Sequence, residues 1–147
     1  MSNSIETSIT TFQYITGVIE HLELNNTALH INDNPERNID MDYSDVFINK
    51  KDTDLCGQIS LIISLSVQNQ DKSGVSIKYK FKGVFLSKDT ANEKEFEQLL
   101  KTNGLAVLYS MARSHIATFS SLSGLETINI PMINVYNFIE SKESKKE

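Results

Sequence analysis

Apolar side chains recur at every second position over the first part of the chain, and at every third or fourth position after it. Between Thr11 and Leu24, β-branched and aromatic residues dominate, with Phe12, Tyr14, Val18, Leu22 and Leu24 at even positions. That alternation predicts a first strand, bent or bulged near Gly17. Asn25 to Pro35 is loaded with Asn and Asp, whose side chains compete with ladder hydrogen bonds, so a loop follows. Ile39, Met41 and Tyr43 alternate with Asp40, Asp42 and Ser44, predicting a short second strand with one wet face. The charged run Asn49 to Asp54 is turn-like. Ile59, Leu61, Ile63, Leu65 and Val67 mark a third strand over Gln58 to Asn69, and Val75, Ile77, Tyr79 and Phe81 a fourth that ends near Leu86. The polar stretch Gln70 to Gly74 between them reads as a hairpin turn.

The period changes at Glu93. Phe96, Leu99 and Leu100 fall at helical spacing over Glu93 to Lys101, and Asn103-Gly104 supplies a plausible C-terminal cap. A longer helix is predicted from Leu105 to about Leu122, with Leu105, Leu108, Tyr109, Ala112, Ile116 and Phe119 on one stripe. Its small residues, Ala106, Ser110, Ala112, Ser114 and Ala117, suit a helix packed on both sides. Gly124, Thr127 and Pro131 interrupt the pattern before a last helix at about Ile133 to Lys142. Strands followed by helices predict an α+β fold: a four-stranded antiparallel sheet with the long helix and the C-terminal helix packed on one side.

With 147 residues, 39% apolar and 22% charged, there is room for a single domain spanning residues 1–147 around one core. Lys plus Arg number 14 against 19 Asp plus Glu, and the net charge of -5 argues against nucleic acid as the principal partner. Polypeptide suits the surface better. The lone Cys56 excludes an internal disulfide and a four-cysteine zinc site, which fits a reducing compartment. Residues 1–10 lack the basic and apolar regions of a signal peptide, and residues 141–147 carry mixed charge with nothing apolar, so both ends are expected to be flexible. No apolar run approaches the ~20 residues needed to cross a bilayer; a cytoplasmic location without membrane insertion is expected.

Catalysis finds little support. His21, His30 and His115 lie far apart without ligand spacing, and Cys56 has no assigned base and reads as an inert thiol. Asp40, Asp42 and Asp45 lack the glycine of a calcium loop and read as the wet face of a strand. Neither a phosphate-cradling glycine loop nor G-x-S-x-G occurs. No enzymatic activity, metal or cofactor is therefore expected. The surfaces say more. Lys78, Lys80 and Lys82 make a basic stripe on the outward side of the fourth strand, either a solvated, edge-protecting face or a docking surface. Leu122, Leu125, Ile128, Ile130, Met132, Ile133 and Val135 crowd a stretch that cannot be one helix. They either pack on the domain and a second subunit or line a groove for apolar segments of other chains.

The residues from Val107 to Ile116, then Gly124-Leu125, then Ile128-Asn129-Ile130-Pro131-Met132-Ile133-Asn134-Val135 resemble the long helix, crossover loop and second-helix entry of the SecB family of export chaperones. Pro35-Glu36 with Ile39-Asp40-Met41-Asp42 is similar to the start of that family's second strand, and Gly83-Val84-Phe85 to the end of its fourth. The resemblance covers most of the chain from Phe12 to Phe138. It implies a homotetramer, a dimer of dimers with the long helices between sheets, that holds non-native polypeptide in apolar grooves without nucleotide. The groove residues it implies are Phe12, Tyr14, Leu125, Ile128, Ile130, Tyr136 and Phe138. The family docks the basic tail of the translocase motor SecA on acidic residues of the outward sheet face. The matching positions here are His21, Asn25 and Lys78, so that charge complementarity is lost. Because the family includes solitary chaperones of toxin and antitoxin pairs, the implied client is a secretory precursor or a dedicated antitoxin. The alternative is an adaptor that consumes its apolar loop in oligomer packing and holds nothing.

Overall fold

A computed structural model describes residues 12–88, 92–124 and 127–146. Four strands, β1 (Phe12–Asn26), β2 (Glu36–Lys51), β3 (Asp54–Gln68) and β4 (Gly74–Ser87), precede the helices. They form one antiparallel sheet in the order β1-β4-β3-β2. A short helix α1 (Glu93–Leu99) passes through a π-helical turn at Leu100–Gly104 into the long helix α2 (Leu105–Leu122), and α3 (Val135–Lys146) ends the chain's regular structure. The expected α+β architecture is the observed one.

The centre of the sheet follows directly from the alternation. The register pairs Leu61 with Phe81, Ile63 with Tyr79 and Leu65 with Ile77, so the odd-numbered residues of β3 and β4 share one face. That face is buried under Leu105, Leu108, Ala112 and Ile116 of α2. Close approach requires Gly83, where a Cβ would lie 2.6 Å from Leu108 Cδ2. His115 also faces the sheet: its Nδ1 lies 2.7 Å from the Tyr79 hydroxyl and its ring meets Phe81 edge-on at 5.1 Å. Burial pushes this imidazole below its ordinary pKa, so it reads as a packed core histidine.

Four expectations are corrected. First, β1 does not keep even parity. Register shifts between Tyr14 and Thr16 and between Ile19 and His21 put Tyr14, Gly17, Ile19, Leu22 and Leu24 opposite the buried residues of β4 and turn Val18 outward. Second, β2 is long rather than short, because the charged stretch continues pairing with β3 beyond a bulge between Ser44 and Phe47, where Asp45 takes a positive φ of 56°. Third, Asn103-Gly104 does not end a helix. Gly104 stays right-handed helical and is buried, and the wide turn keeps Phe96, Leu100, Leu105 and Leu108 all on the core side. Fourth, α3 continues to Lys146, past the end predicted at Lys142, where side-chain contacts described below hold its second half. The expectation for residues 1–10 lies outside the described residues. Among the described residues, no helix is long and apolar enough to cross a membrane.

Candidate polypeptide-binding surface

Between α2 and α3 the chain crosses the sheet without regular structure, over residues 127–134. Its side chains nevertheless alternate. Ile128 and Ile130 are 8% and 4% exposed, whereas Thr127, Asn129 and Pro131 face solvent. An irregular segment has no ladder partner for its main chain, so other groups must satisfy it. Here α2 supplies them: Ile128 N–H donates to the Ser120 Oγ at 2.8 Å, Arg113 Nε donates to the Ile130 carbonyl at 2.9 Å, and the Tyr109 hydroxyl donates to the Pro131 carbonyl. Ser120 is fully buried and donates in turn to the Ala117 carbonyl. Burial pushes the Tyr109 phenol up, and the Arg113 guanidinium partly opposes the shift.

Beside the crossover lies an apolar depression of about 210 Å³, lined chiefly by Arg37 and Ile39 of β2, Leu65 and Val67 of β3, and Ile128 and Ile130. Other apolar side chains of these elements stay exposed: Met132 is 80% and Tyr136 60% exposed, and Leu122 at the end of α2 is 77% exposed. The helix α3 is fixed to the core by the buried Ile139 and the part-buried Phe138. The Tyr43 hydroxyl of β2 donates to the Glu143 carboxylate, which also pairs with Lys101 Nζ at 3.1 Å. Burial and the neighbouring Glu143 charge push the Tyr43 phenol above its ordinary range, so it stays a donor. Lys142 pairs with Asp40 at 3.9 Å and lies over the Phe138 ring.

The residues singled out from the sequence do not gather in one place. Ile128, Ile130, Tyr136 and Phe138 belong to the crossover and α3, with Ile128 and Ile130 against the β2–β3 side of the sheet. Phe12 stacks on Phe85 at 5.1 Å and Tyr14 meets the same ring at 5.6 Å. These two sit on the β1 edge in the rows of Leu55 and Gly57, roughly 33 Å along the strands from the rows of Leu65 and Val67. Leu125 lies outside the described residues. Sequence reasoning missed Tyr109, Arg113 and Ser120 as anchors of the crossover. Their spacing puts all three on one stripe of α2, a polar insertion in an apolar face that would have flagged them.

On the outward face, His21 stands opposite Lys80, Asn25 opposite Ser76 and Lys78 opposite Glu23, so the three predicted docking positions do share a surface. The basic stripe is not an edge, since β4 lies between β1 and β3. Nor is it left bare. One bulge on each edge strand delivers an acid to it: Lys80 pairs with Asp45 at 2.5 Å, and Lys82 with Glu20 at 3.2 Å. Glu20 also accepts from the buried Ser60 hydroxyl. Lys80 holds the Asp45 carboxyl below its ordinary pKa and is itself raised by it. Lys78 and Glu23, 4.0 Å apart, are the exposed pair of the stripe.

No protein-family model matches the chain, and no curated protein matches it significantly. Among solved structures, the SecB-like chaperone Rv1957 of Mycobacterium tuberculosis, in complex with a ChAD peptide from the Rv1956 HigA1 antitoxin, is similar with a TM-score of 0.61. The match covers 87% of this chain and 94% of that one at 14% identity. The chain has the SecB-like fold. A protein of unknown function from Streptococcus agalactiae matches less well, with a TM-score of 0.48 and 9% identity over 82% of this chain and 97% of that one. In this SecB-like fold, the crossover and α3 carry the exposed Met132 and Tyr136.

Proposed function

We propose that the protein is a holding chaperone that binds non-native polypeptide along the crossover and α3 without nucleotide. The observation that carries this reading is the apolar surface left on these elements, the exposed Met132 and Tyr136 together with an apolar depression lined by Ile128 and Ile130. Covering such side chains with a client's is favourable by about 25 cal/mol per Å² of apolar surface removed from water. Many weak contacts along one client then add up. The fold it shares with a SecB-like chaperone solved with an antitoxin peptide supports the reading, and it favours an antitoxin over a secretory precursor as client. Docking to SecA through the outward face is disfavoured by Lys78 at one of the contact positions.

The working form is a cytoplasmic homotetramer, a dimer of dimers. Supporting this, the side of α2 away from the sheet exposes Ala106, Val107, Ser110 and Ser114, small enough for a second layer to pack closely. One observation favours an adaptor without clients: Ile128 and Ile130 are already buried within the subunit. Light scattering from a chemically denatured polypeptide, diluted with and without a stoichiometric excess of the chain, separates the two. A holding chaperone slows aggregation; an adaptor leaves it unchanged.

A further inference from the structure

Three side chains of α2 hydrogen-bond the main chain of the crossover, Tyr109 and Arg113 the carbonyls of Pro131 and Ile130 and Ser120 the N–H of Ile128, while Ser121 adds one side-chain bond, to the Thr127 hydroxyl at 2.6 Å. None of the three main-chain bonds reads a side chain. The row would grip any extended polypeptide in the same way, since every residue offers a carbonyl and nearly every one an N–H. On its other side the crossover places Ile128 and Ile130 beside the apolar wall of Ile39, Leu65 and Val67. Its intervening residues, Thr127, Asn129 and Pro131, point to solvent. An unfolded apolar segment brings the same two things to a binding surface: unpaired main-chain groups and alternate apolar side chains.

We propose that the crossover is a built-in occupant of the polypeptide groove, seated on a main-chain-binding row of Tyr109, Arg113 and Ser120, and that an extended apolar client takes its place. The inference rests on the holding activity proposed above and adds which surface is used and what must vacate it. It gives Ile128 and Ile130 a role opposite to that of groove walls. They compete with the client, so loosening them strengthens holding, whereas trimming a wall would weaken it. The Ile39 side of the depression, half exposed on the edge strand, gives an incoming segment its first foothold.

The test uses the full chain and reduced, carboxymethylated α-lactalbumin, a permanently unfolded probe. Exchange of the Ile128 amide hydrogen is followed by NMR with and without saturating probe. Displacement predicts exchange at least tenfold faster when the probe is bound, because the bond to Ser120 is lost; unchanged or slower exchange overturns the proposal. In parallel, Ile130→Ala is predicted to lower the Kd for the probe at least threefold. Weaker binding by that variant would mean that Ile130 touches the client, and would also overturn it. Should Ile130→Ala fail to fold by circular dichroism, the exchange experiment on the unaltered chain decides alone. Binding of the probe with an undisturbed Ile128 amide removes only the built-in occupant. No binding at all removes the holding activity and the occupant with it.

Discussion

The central strands and the edge strands of this sheet use the same residue types to opposite ends. On β3 and β4, Leu61, Ile63, Tyr79, Phe81 and Phe85 are all buried under α2. On β1 and β2, Ile15, Val18, Ile39 and Phe47 stay largely exposed although they are as apolar as the core. The difference lies in what covers each strand. Ile39, on the helix side at the β2 edge, borders the open depression beside the crossover, whereas Val18 and Phe47 stand in the outward rows of Lys82 and Gln58, on the face away from α2. A domain that leaves this much apolar side chain uncovered has material for other polypeptides, whether copies of itself or clients.

The largest expected effect sharpens that contrast. Phe85→Ala, at a fully buried site, is expected to cost about 3–5 kcal/mol in denaturant unfolding. Val18→Ala, 56% exposed on the outward face, should stay within about 0.5 kcal/mol. Equal losses would break the comparison. Next comes the attachment of α3. Tyr43→Phe removes the donor to Glu143 while Lys101 still pairs with that carboxylate, so a loss of about 1 kcal/mol is expected by the same assay. A loss near zero would mean that the Tyr43 bond adds nothing to the hold that Ile139, Phe138 and the two lysine pairs have on α3.

Two pH effects follow, both smaller. The folded-state pKa of His115 is lowered by burial, so the folded state prefers the neutral ring. Stability is then complete above the unfolded value of about 6.5 and falls as the pH drops through that value toward the lower folded one. His115→Phe should flatten melting temperatures measured across this range; an unchanged slope would show that the ring titrates freely. Asp45 is depressed by Lys80, so its contribution is present above the ordinary carboxylate value and is lost as the pH falls through its folded value. Asp45→Asn is expected to reduce only that acid slope, and raised salt should mimic it because the pair is partly exposed.

The sequence was most legible where one local period met one buried face. The alternation of Ile59 to Val67, and the stripe from Leu105 to Ile116, placed β3 and α2 within a few residues. It was least legible where a long-range partner overrode the local pattern. Bulges in β1 and β2 change which side chains face the core, and their positions depend on pairing with β4 and β3. The lysine stripe looked unneutralised because Asp45 reaches Lys80 only across the folded sheet. Likewise, Asn103-Gly104 resembled a stop signal, yet burial of Leu100 and Leu105 carried the helix through it. In the candidate site, the apolar crowding around Ile128 was visible as composition. Its division into buried Ile128 and Ile130 and exposed Met132 and Tyr136 depends on anchors from α2, many residues away in sequence.

The most direct measurement of the central claim is aggregation of a denatured polypeptide in the presence of the chain and of a Met132→Ser, Tyr136→Ser variant, followed by light scattering without nucleotide. The account predicts that the unaltered chain in stoichiometric excess suppresses scattering and that the double variant needs at least fivefold more protein to do the same. Aggregation at an undiminished rate with the unaltered chain, or full protection by the variant at equal dose, would contradict it.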